Sequence, residues 1–284
     1  MNFNDFVFSY KIIVKSYIIK KKYFKGFRKL FNFPYKYLLN LIRIFFGKDK
    51  VNLGKLKKIK NLDLNELFIN FNSDKGSQVK IFDKIQQGHN YALHYEKFFD
   101  RFKEKEKVNI LEIGSLLGAS AASFLNYFKL AKICCLDINP FQMKYLSNQI
   151  RPLFIDTKEN EIIKDVANYI NYDFDIIIDD GSHNKKDQIL CLNAFLPKLK
   201  RNGIYVIEDT YQYLEIPALN EDNLDYGINE FLISIKNTGD HITSYLDSSE
   251  KKQIQTSIKN IYFEKGNHVY KNLNLQEIIF IEKI

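Results

Sequence analysis

The sequence predicts a doubly wound α/β protein, with a mostly parallel sheet preceded by a basic, largely helical N-terminal extension. Three observations carry that prediction: short β-branched runs alternate with helix-patterned segments from Lys107 onward, polar residues gather where those runs end, and positive charge is concentrated before residue 61. Near-continuous apolar strands imply a sheet buried on both faces, and ligands of such sheets sit beyond the carboxyl ends of the strands.

Residues 1–60 form the first element, a basic amphipathic arm. They hold sixteen Lys and Arg against Asp5 and Asp49, so within a whole-chain charge of +8 the rest of the chain is acidic, at −6. Lysines interleave with aromatics in "YIIKKKYFKGFRKLFNF", and after Pro34 the spacing of Leu38, Leu41, Ile42, Phe45 and Phe46 predicts a helix with one apolar face. Such an arm suits an anionic membrane surface. It suits equally a helical extension docked on the body or on a second subunit of a homo-oligomer, and both readings stand at this level. Nucleic acid is disfavoured, because no nucleic-acid module is recognisable and the body is acidic. The best apolar run, Tyr37 to Phe46, contains Asn40 and Arg43 and is about half the roughly 20 residues of a membrane span. Lysines also interrupt the stretch where a secretory leader would be unbroken. Cys134, Cys135 and Cys191 match neither a disulfide framework nor a zinc site, so a cytoplasmic protein is expected, with the arm at the inner membrane surface in the first of the two readings.

Residues 61–106, opening on the acidic stretch "NLDLNELFINFNSDKGS", form a cap or linker segment, and residues 107–284 the body. In the body, strands are predicted at "VNILEIG" (108–114), "KICCLDI" (132–138), "PLFI" (152–155), "FDIIIDD" (174–180) and "GIYVIED" (203–209). Helices are predicted at "ASAASFLNYF" (119–128) and "DQILCLNAFLPKLK" (187–200). Gly114, Asp137, Asp156, Asp180, Glu208 and Asp209 all fall at or just past a strand's end, which places six polar residues on one rim.

Two chemistries are readable on that rim. The turn "EIGSLLGAS" supplies Glu112, Gly114, Ser115 and Gly118 as candidate cofactor contacts, with Gly114 allowing a tight turn and a helix N-terminus following it. The middle glycine of the dinucleotide fingerprint is absent. Asp137 ends the next strand, where an acid accepts hydrogen bonds from ribose hydroxyls, so an adenosine-containing cofactor is expected. Asp156 is then a candidate for the adenine amino group, or a plain loop carboxylate. The second chemistry lies in "DIIIDDGSH" (175–183). Asp179 and Asp180 end one strand and Glu208 and Asp209 its neighbour, so up to four carboxylates converge. A divalent cation relieves their mutual repulsion, and oxygen donors without sulfur suit Mg²⁺, Mn²⁺ or Ca²⁺. Gly181 lets the chain bend so that His183 begins the next segment beside the ion, as a candidate general base.

These stretches resemble class I S-adenosylmethionine-dependent methyltransferases, and specifically the macrocin and mycinamicin sugar O-methyltransferase family. The resemblance rests on "SDKGS" (73–77), "GHNYALHYEKFF" (88–99), "LEIGSLLGAS" (111–120), "FDIIIDDGSH" (174–183), "GIYVIEDTY" (203–211) and the closing "FIEK" (280–283). It covers about residues 70–284 and leaves the arm outside. It implies a Rossmann-like sheet of seven strands, with S-adenosylmethionine held by the Gly114 loop and Asp137 and with Asp179 facing the cofactor or capping its turn. It also implies a cap over the pocket containing Lys75, Ser77 and Tyr91, and Mg²⁺ or another hard divalent cation on Asp180, Glu208 and Asp209. Two positions depart from the family pattern: Asp187 stands where a second histidine is frequent, and "RNG" (201–203) where proline-glycine-glycine is usual.

An alcohol attacks a sulfonium methyl only as it loses its proton, and a metal with His183 would serve that loss. Two neighbouring hydroxyls would chelate the ion, which suits a sugar. The expected function is therefore a metal-dependent sugar O-methyltransferase acting on a bacterial surface polysaccharide (capsule or lipopolysaccharide) or its nucleotide- or lipid-linked precursor. A catechol-like small molecule would chelate the ion equally well. A non-catalytic cofactor-binding partner of a membrane-associated glycan-assembly complex is the third reading, and the intact Asp180, His183, Glu208 and Asp209 argue against it.

Overall fold

A computed structural model of the chain describes residues 1–32, 35, 38, 39, 42, 50–55, 58, 59, 61–220, 226–237, 243–267 and 277–284. Most of the helix expected after Pro34, including Leu41, Phe45 and Phe46, lies outside the described residues.

Seven strands make one sheet: β1 (Val108–Ile113), β2 (Ala131–Asp137), β3 (Ile150–Phe154), β4 (Phe174–Asp179), β5 (Leu199–Ile207), β6 (Ile258–Glu264) and β7 (Ile278–Lys283). Their spatial order is β6-β7-β5-β4-β1-β2-β3. β1 pairs parallel with β2 and β4, β2 with β3, and β4 with β5, while β7 runs antiparallel between β5 and β6. The chain enters at the centre, moves out to β3 and returns to β4. The strand order therefore reverses between β1 and β4, and a crevice opens at their carboxyl ends.

Side-chain alternation explains why the strands are apolar throughout. On β1 and β4, Leu111, Ile113 and Ile177 enter one core, while Ile110, Ile176 and Ile178 enter the other. The first core takes Ile162, Ile163 and Val166 of α6 (Asn160–Tyr169) and Ile189 and Leu192 of α7 (Lys185–Phe195). The second takes Leu64 and Phe68 of α3 (Leu64–Phe71), Tyr95 and Phe99 of α4 (Ala92–Phe99) and Phe124 of α5 (Ala119–Tyr127). All five strands expected from the alternating pattern are present, as is the closing one. The helix expected over 187–200 stops at Phe195 and gives way to a 3₁₀ turn at Leu196–Lys198, because Pro197 has no N–H to donate.

The arm's first helix, α1 (Phe3–Ile19), lies on the body. Asn2 caps it, and it covers the open edge of β3: the Phe154 N–H donates to Ser9 Oγ (3.1 Å), and Phe6, Tyr10 and Ile12 are buried. Arg151 of β3 holds Asp5 bidentately at 2.9 and 2.6 Å, and Lys15 pairs with Asp165 at 2.7 Å. For residues 3–19, docking on the body is what the structure shows. A short helix α2 (Tyr23–Phe31) follows and leaves Tyr23 and Phe24 exposed among lysines. No helix of the described residues is long and apolar enough to cross a membrane.

Candidate active site

The switch-point crevice is a cleft of ≈ 490 Å³, within the range of small-ligand sites. Gly114, Ser115, Leu116 and Leu117 form one wall, Asp137 lies at one end, and Lys75, Asp180, His183 and Asp209 lie at the other. Gly114 is required here: its φ is +86°, and a Cβ would run into the carbonyl oxygen of Asp180, because the loops after β1 and β4 press together. Asp137 anchors the same wall by accepting the Leu116 N–H (2.8 Å) and the Asn139 N–H (2.7 Å). Gly118 takes φ +81° at the N-cap of α5, one turn before Ala122 enters the helix ladder. Glu112 stands behind the wall; Ser120 donates to one carboxylate oxygen, and burial pushes its pKa up.

At the β4 and β5 ends the acids meet cations supplied by the cap. Lys75, only 2 % exposed, donates to Asp180 and to Glu208, the latter at 2.9 Å. Burial works against its charge, but Asp180 and Glu208 more than offset this and hold its pKa well above the ordinary value. Glu208 is buried as well and also accepts from the Tyr95 hydroxyl. Asp209 accepts from Tyr91 Oη (2.7 Å) and Gln212 Nε2 (2.8 Å) and lies 3.3 Å from His89 Nδ1. Burial disfavours its charge, but His89 outweighs that and keeps its pKa below the usual carboxylate range. His89 in turn rises to about 9: burial pulls it down, and the bond and charge of Asp209 carry it up.

His183 takes a left-handed φ of +56°, as does Asp209 at +52°, so both sit in backbone conformations that cost energy unless the surroundings enforce them. Its Nε2 is 4.0 Å from Asp180 Oδ1 and 4.0 Å from Asp209 Oδ2. Together these three residues offer ligand atoms that all lie within 4.8 Å of one another. Two carboxylates without sulfur suit a hard divalent cation, with the imidazole standing beside them.

The structure redistributes the expected roles. Glu208, assigned to the metal by resemblance, is outside that group because its carboxylate is turned onto Lys75 and Tyr95; a buried carboxylate needs these donors. Asp179 caps the turn, its Oδ1 accepting the Gly181 N–H at 3.3 Å, and burial holds its pKa well above normal. Asp156, a candidate for the adenine amino group, gives Oδ2 to Ser16 Oγ (2.7 Å) and Lys20 Nζ (2.5 Å) of the arm, while its Oδ1 has no hydrogen-bond partner among the described residues. Ser77 shapes the cap through its backbone, its N–H donating to Asn65 Oδ1 (2.7 Å), and does not line the cleft. Asp187 ties the loop after β4, through Ser182 (2.5 Å), to the loop after β3, through Thr157 (3.2 Å). The sequence reading does not single out His89 and Tyr95 as site residues. The available signal was charge: four acids at two strand ends demand cations and hydroxyl donors, and "GHNYALHY" places His89, Tyr91 and Tyr95 together.

Comparison with known proteins agrees with this geometry. Residues 111–210 match the family described as "Methyltransferase domain". L-olivosyl-oleandolide 3-O-methyltransferase of Streptomyces antibioticus is 30 % identical over 156 residues, 52 % of this chain and 37 % of that protein. Demethylmacrocin O-methyltransferase of Streptomyces fradiae is 28 % identical over 156 residues, 52 % of this chain and 36 % of that protein. The match thus spans little more than a third of these relatives' length. Among solved structures, the MycE methyltransferase from the mycinamycin biosynthetic pathway, in complex with Mg, SAH and mycinamycin VI, superposes with a TM-score of 0.57 at 22 % identity. That superposition covers 79 % of this chain and 55 % of MycE, and the two share the fold.

Proposed function

We propose that the chain is a class I S-adenosylmethionine-dependent methyltransferase that moves a methyl group from S-adenosylmethionine to a sugar hydroxyl with the help of a hard divalent cation, Mg²⁺ first. One observation carries the reading: Asp180, Asp209 and His183 converge at one end of the cleft whose other end and wall are Asp137 and the Gly114 loop. The kinship with sugar O-methyltransferases supports the acceptor class.

In this reading Asp180 and Asp209 hold the cation, which when bound supplies Lewis acidity that makes an acceptor hydroxyl easier to deprotonate. His183 Nε2, between the two carboxylates, takes the hydroxyl proton as the methyl moves. His89, Tyr91 and Gln212 keep Asp209 ionised and oriented, and Lys75 orients Asp180 and Glu208 and opposes the burial that raises their pKa values. The Gly114 loop and Asp137 position the methionine and ribose parts of the cofactor.

Within sugars, a surface polysaccharide or its nucleotide- or lipid-linked precursor is supported by the basic arm. α1 spends its apolar face on the body, so lipid contact would fall to α2, where exposed Tyr23 and Phe24 stand beside Lys22 and Lys25.

Calorimetric titration with S-adenosylmethionine, with Mg²⁺ and after EDTA, followed by methyl-transfer assays on nucleotide sugars and polysaccharide, tests the proposal. Micromolar binding and transfer that chelation abolishes is the expected result. Absence of binding in every condition removes the enzymatic reading, and full transfer in excess EDTA removes the cation.

A further inference from the structure

We propose that the arm's first helix is part of the cofactor site: Ser16 and Lys20 are positioning residues that hold the Asp156 carboxylate for recognition of the cofactor's 6-amino purine. This inference rests on the methyltransferase reading above and adds a role for a segment that lies outside the family resemblance.

The argument starts from the order of groups along the rim. The charge cluster ends β4 and β5, the Gly114 loop follows β1, Asp137 ends β2 and Asp156 follows β3. Asp137 and Asp156 are neighbours, since the Ile155 N–H donates to the Asp137 carbonyl at 3.1 Å. A cofactor whose ribose meets Asp137 and whose sulfonium points to the charge cluster therefore extends its base toward Asp156.

The Asp156 carboxylate is only half satisfied. Oδ2 accepts from Ser16 Oγ at 2.7 Å and Lys20 Nζ at 2.5 Å, whereas Oδ1 is buried and has no hydrogen-bond partner among the described residues. Asp156 is 3 % exposed, and a carboxylate oxygen so enclosed is costly without a donor. An exocyclic amine is such a donor. Lys20 and Ser16 do two things for it: the ammonium sets a positive charge against the buried carboxylate, and two donors on the same oxygen fix its rotamer and reserve the other. They can do so only because α1 is clamped across the edge strand by Asp5 with Arg151 and by Ser9 with Phe154.

The test is a ratio of affinities measured on the full chain by calorimetry: S-adenosylhomocysteine against S-inosylhomocysteine, which carries a 6-oxo group in place of the 6-amino group. The native protein should prefer the amino form by about tenfold or more, the scale of a charge-assisted hydrogen bond. Lys20→Met and Ser16→Ala should each narrow that ratio several-fold, Lys20→Arg should retain it, and Asp156→Asn should bring it to near one. A purely structural tie between arm and body would lower the melting temperature and leave the ratio unchanged; that outcome in Lys20→Met and Ser16→Ala overturns the proposal. Equal native affinity for the two ligands overturns it as well while leaving the methyltransferase reading intact, whereas binding of neither ligand removes both.

Discussion

The two ends of the sheet's rim handle carboxylates in opposite ways. At the β4 and β5 end, Asp180, Glu208 and Asp209 are crowded together and answered by Lys75, His89, Tyr91 and Tyr95, all from one stretch of the cap. At the β2 and β3 end the acids stand singly: Asp137 accepts two backbone N–H groups, one from the loop after β1 and one from its own, and one oxygen of Asp156 accepts from Ser16 and Lys20. A lone carboxylate can be held by one or two donors, from a nearby turn or from the arm. A cluster cannot, because each added charge raises the cost of its neighbours. The cap is thus an electrostatic component of the fold as well as a cover, and the comparison can be broken at either end.

The largest effect is expected at Lys75. Its loss in Lys75→Met leaves Asp180 and Glu208 without their shared buried cation, and removing one partner of such a group costs about 3–5 kcal/mol. Urea unfolding of metal-free protein measures this, and a loss below about 1 kcal/mol would mean that the cluster does not need the cap's charge. In the proposed mechanism His183 carries chemistry rather than stability. His183→Ala should lower turnover by about 10²-fold or more, roughly 2.7 kcal/mol or above in the barrier, while S-adenosylhomocysteine affinity stays close to native. Turnover that survives intact removes it as the base.

How much of this could be read from sequence divides along the same line. The five strands, the reversal of order and the acids on the rim follow from local patterns, since a strand and the residue that ends it are contiguous. Asp180 and Asp209 could be placed at adjacent strand ends for that reason. What answers them could not: Lys75 is 105 residues from Asp180, and Tyr95 is 113 from Glu208. The tie of Asp156 to Lys20 across 136 residues was equally hidden, because nothing in the arm's composition distinguishes a lysine facing water from one that reaches a buried acid. The cap's hairpin (Gln78–Ile81 with Lys84–Gln87) lacked a turn signature, since its tip is Phe82-Asp83 with φ +47° and +62°, where glycine or asparagine is the usual cue.

Asp187 tests a milder imbalance between the two ends. Burial raises its pKa to about 6, and the hydroxyls of Ser182 and Thr157 offset this only in part. The unfolded chain has the ordinary carboxylate value, so the folded state binds the extra proton between about pH 4 and 6; the contribution of this group is most favourable below that window and is lost as pH rises through 6. Asp187→Asn should therefore stabilise the protein by about 1–2 kcal/mol at pH 8, with the gain vanishing near pH 4. A difference that does not change with pH would show that the site ionises freely.

The smallest effect is expected at the arm's outer ion pair, and it bears on what holds α1 in place. Lys15 and Asp165 meet at 2.7 Å but are 39 % and 37 % exposed, so water and salt screen most of their attraction. Lys15→Ala should cost about 0.2–1 kcal/mol, and less as ionic strength rises. The helix is held instead by the buried Phe6, Tyr10 and Ile12 and by the enclosed Asp5, whose bidentate bonds to Arg151 are shielded from solvent on the acid's side. If Lys15→Ala costs more than about 2 kcal/mol, surface charge carries the docking. The arm would then be a salt-sensitive attachment, unlike the cap, whose charges act from inside.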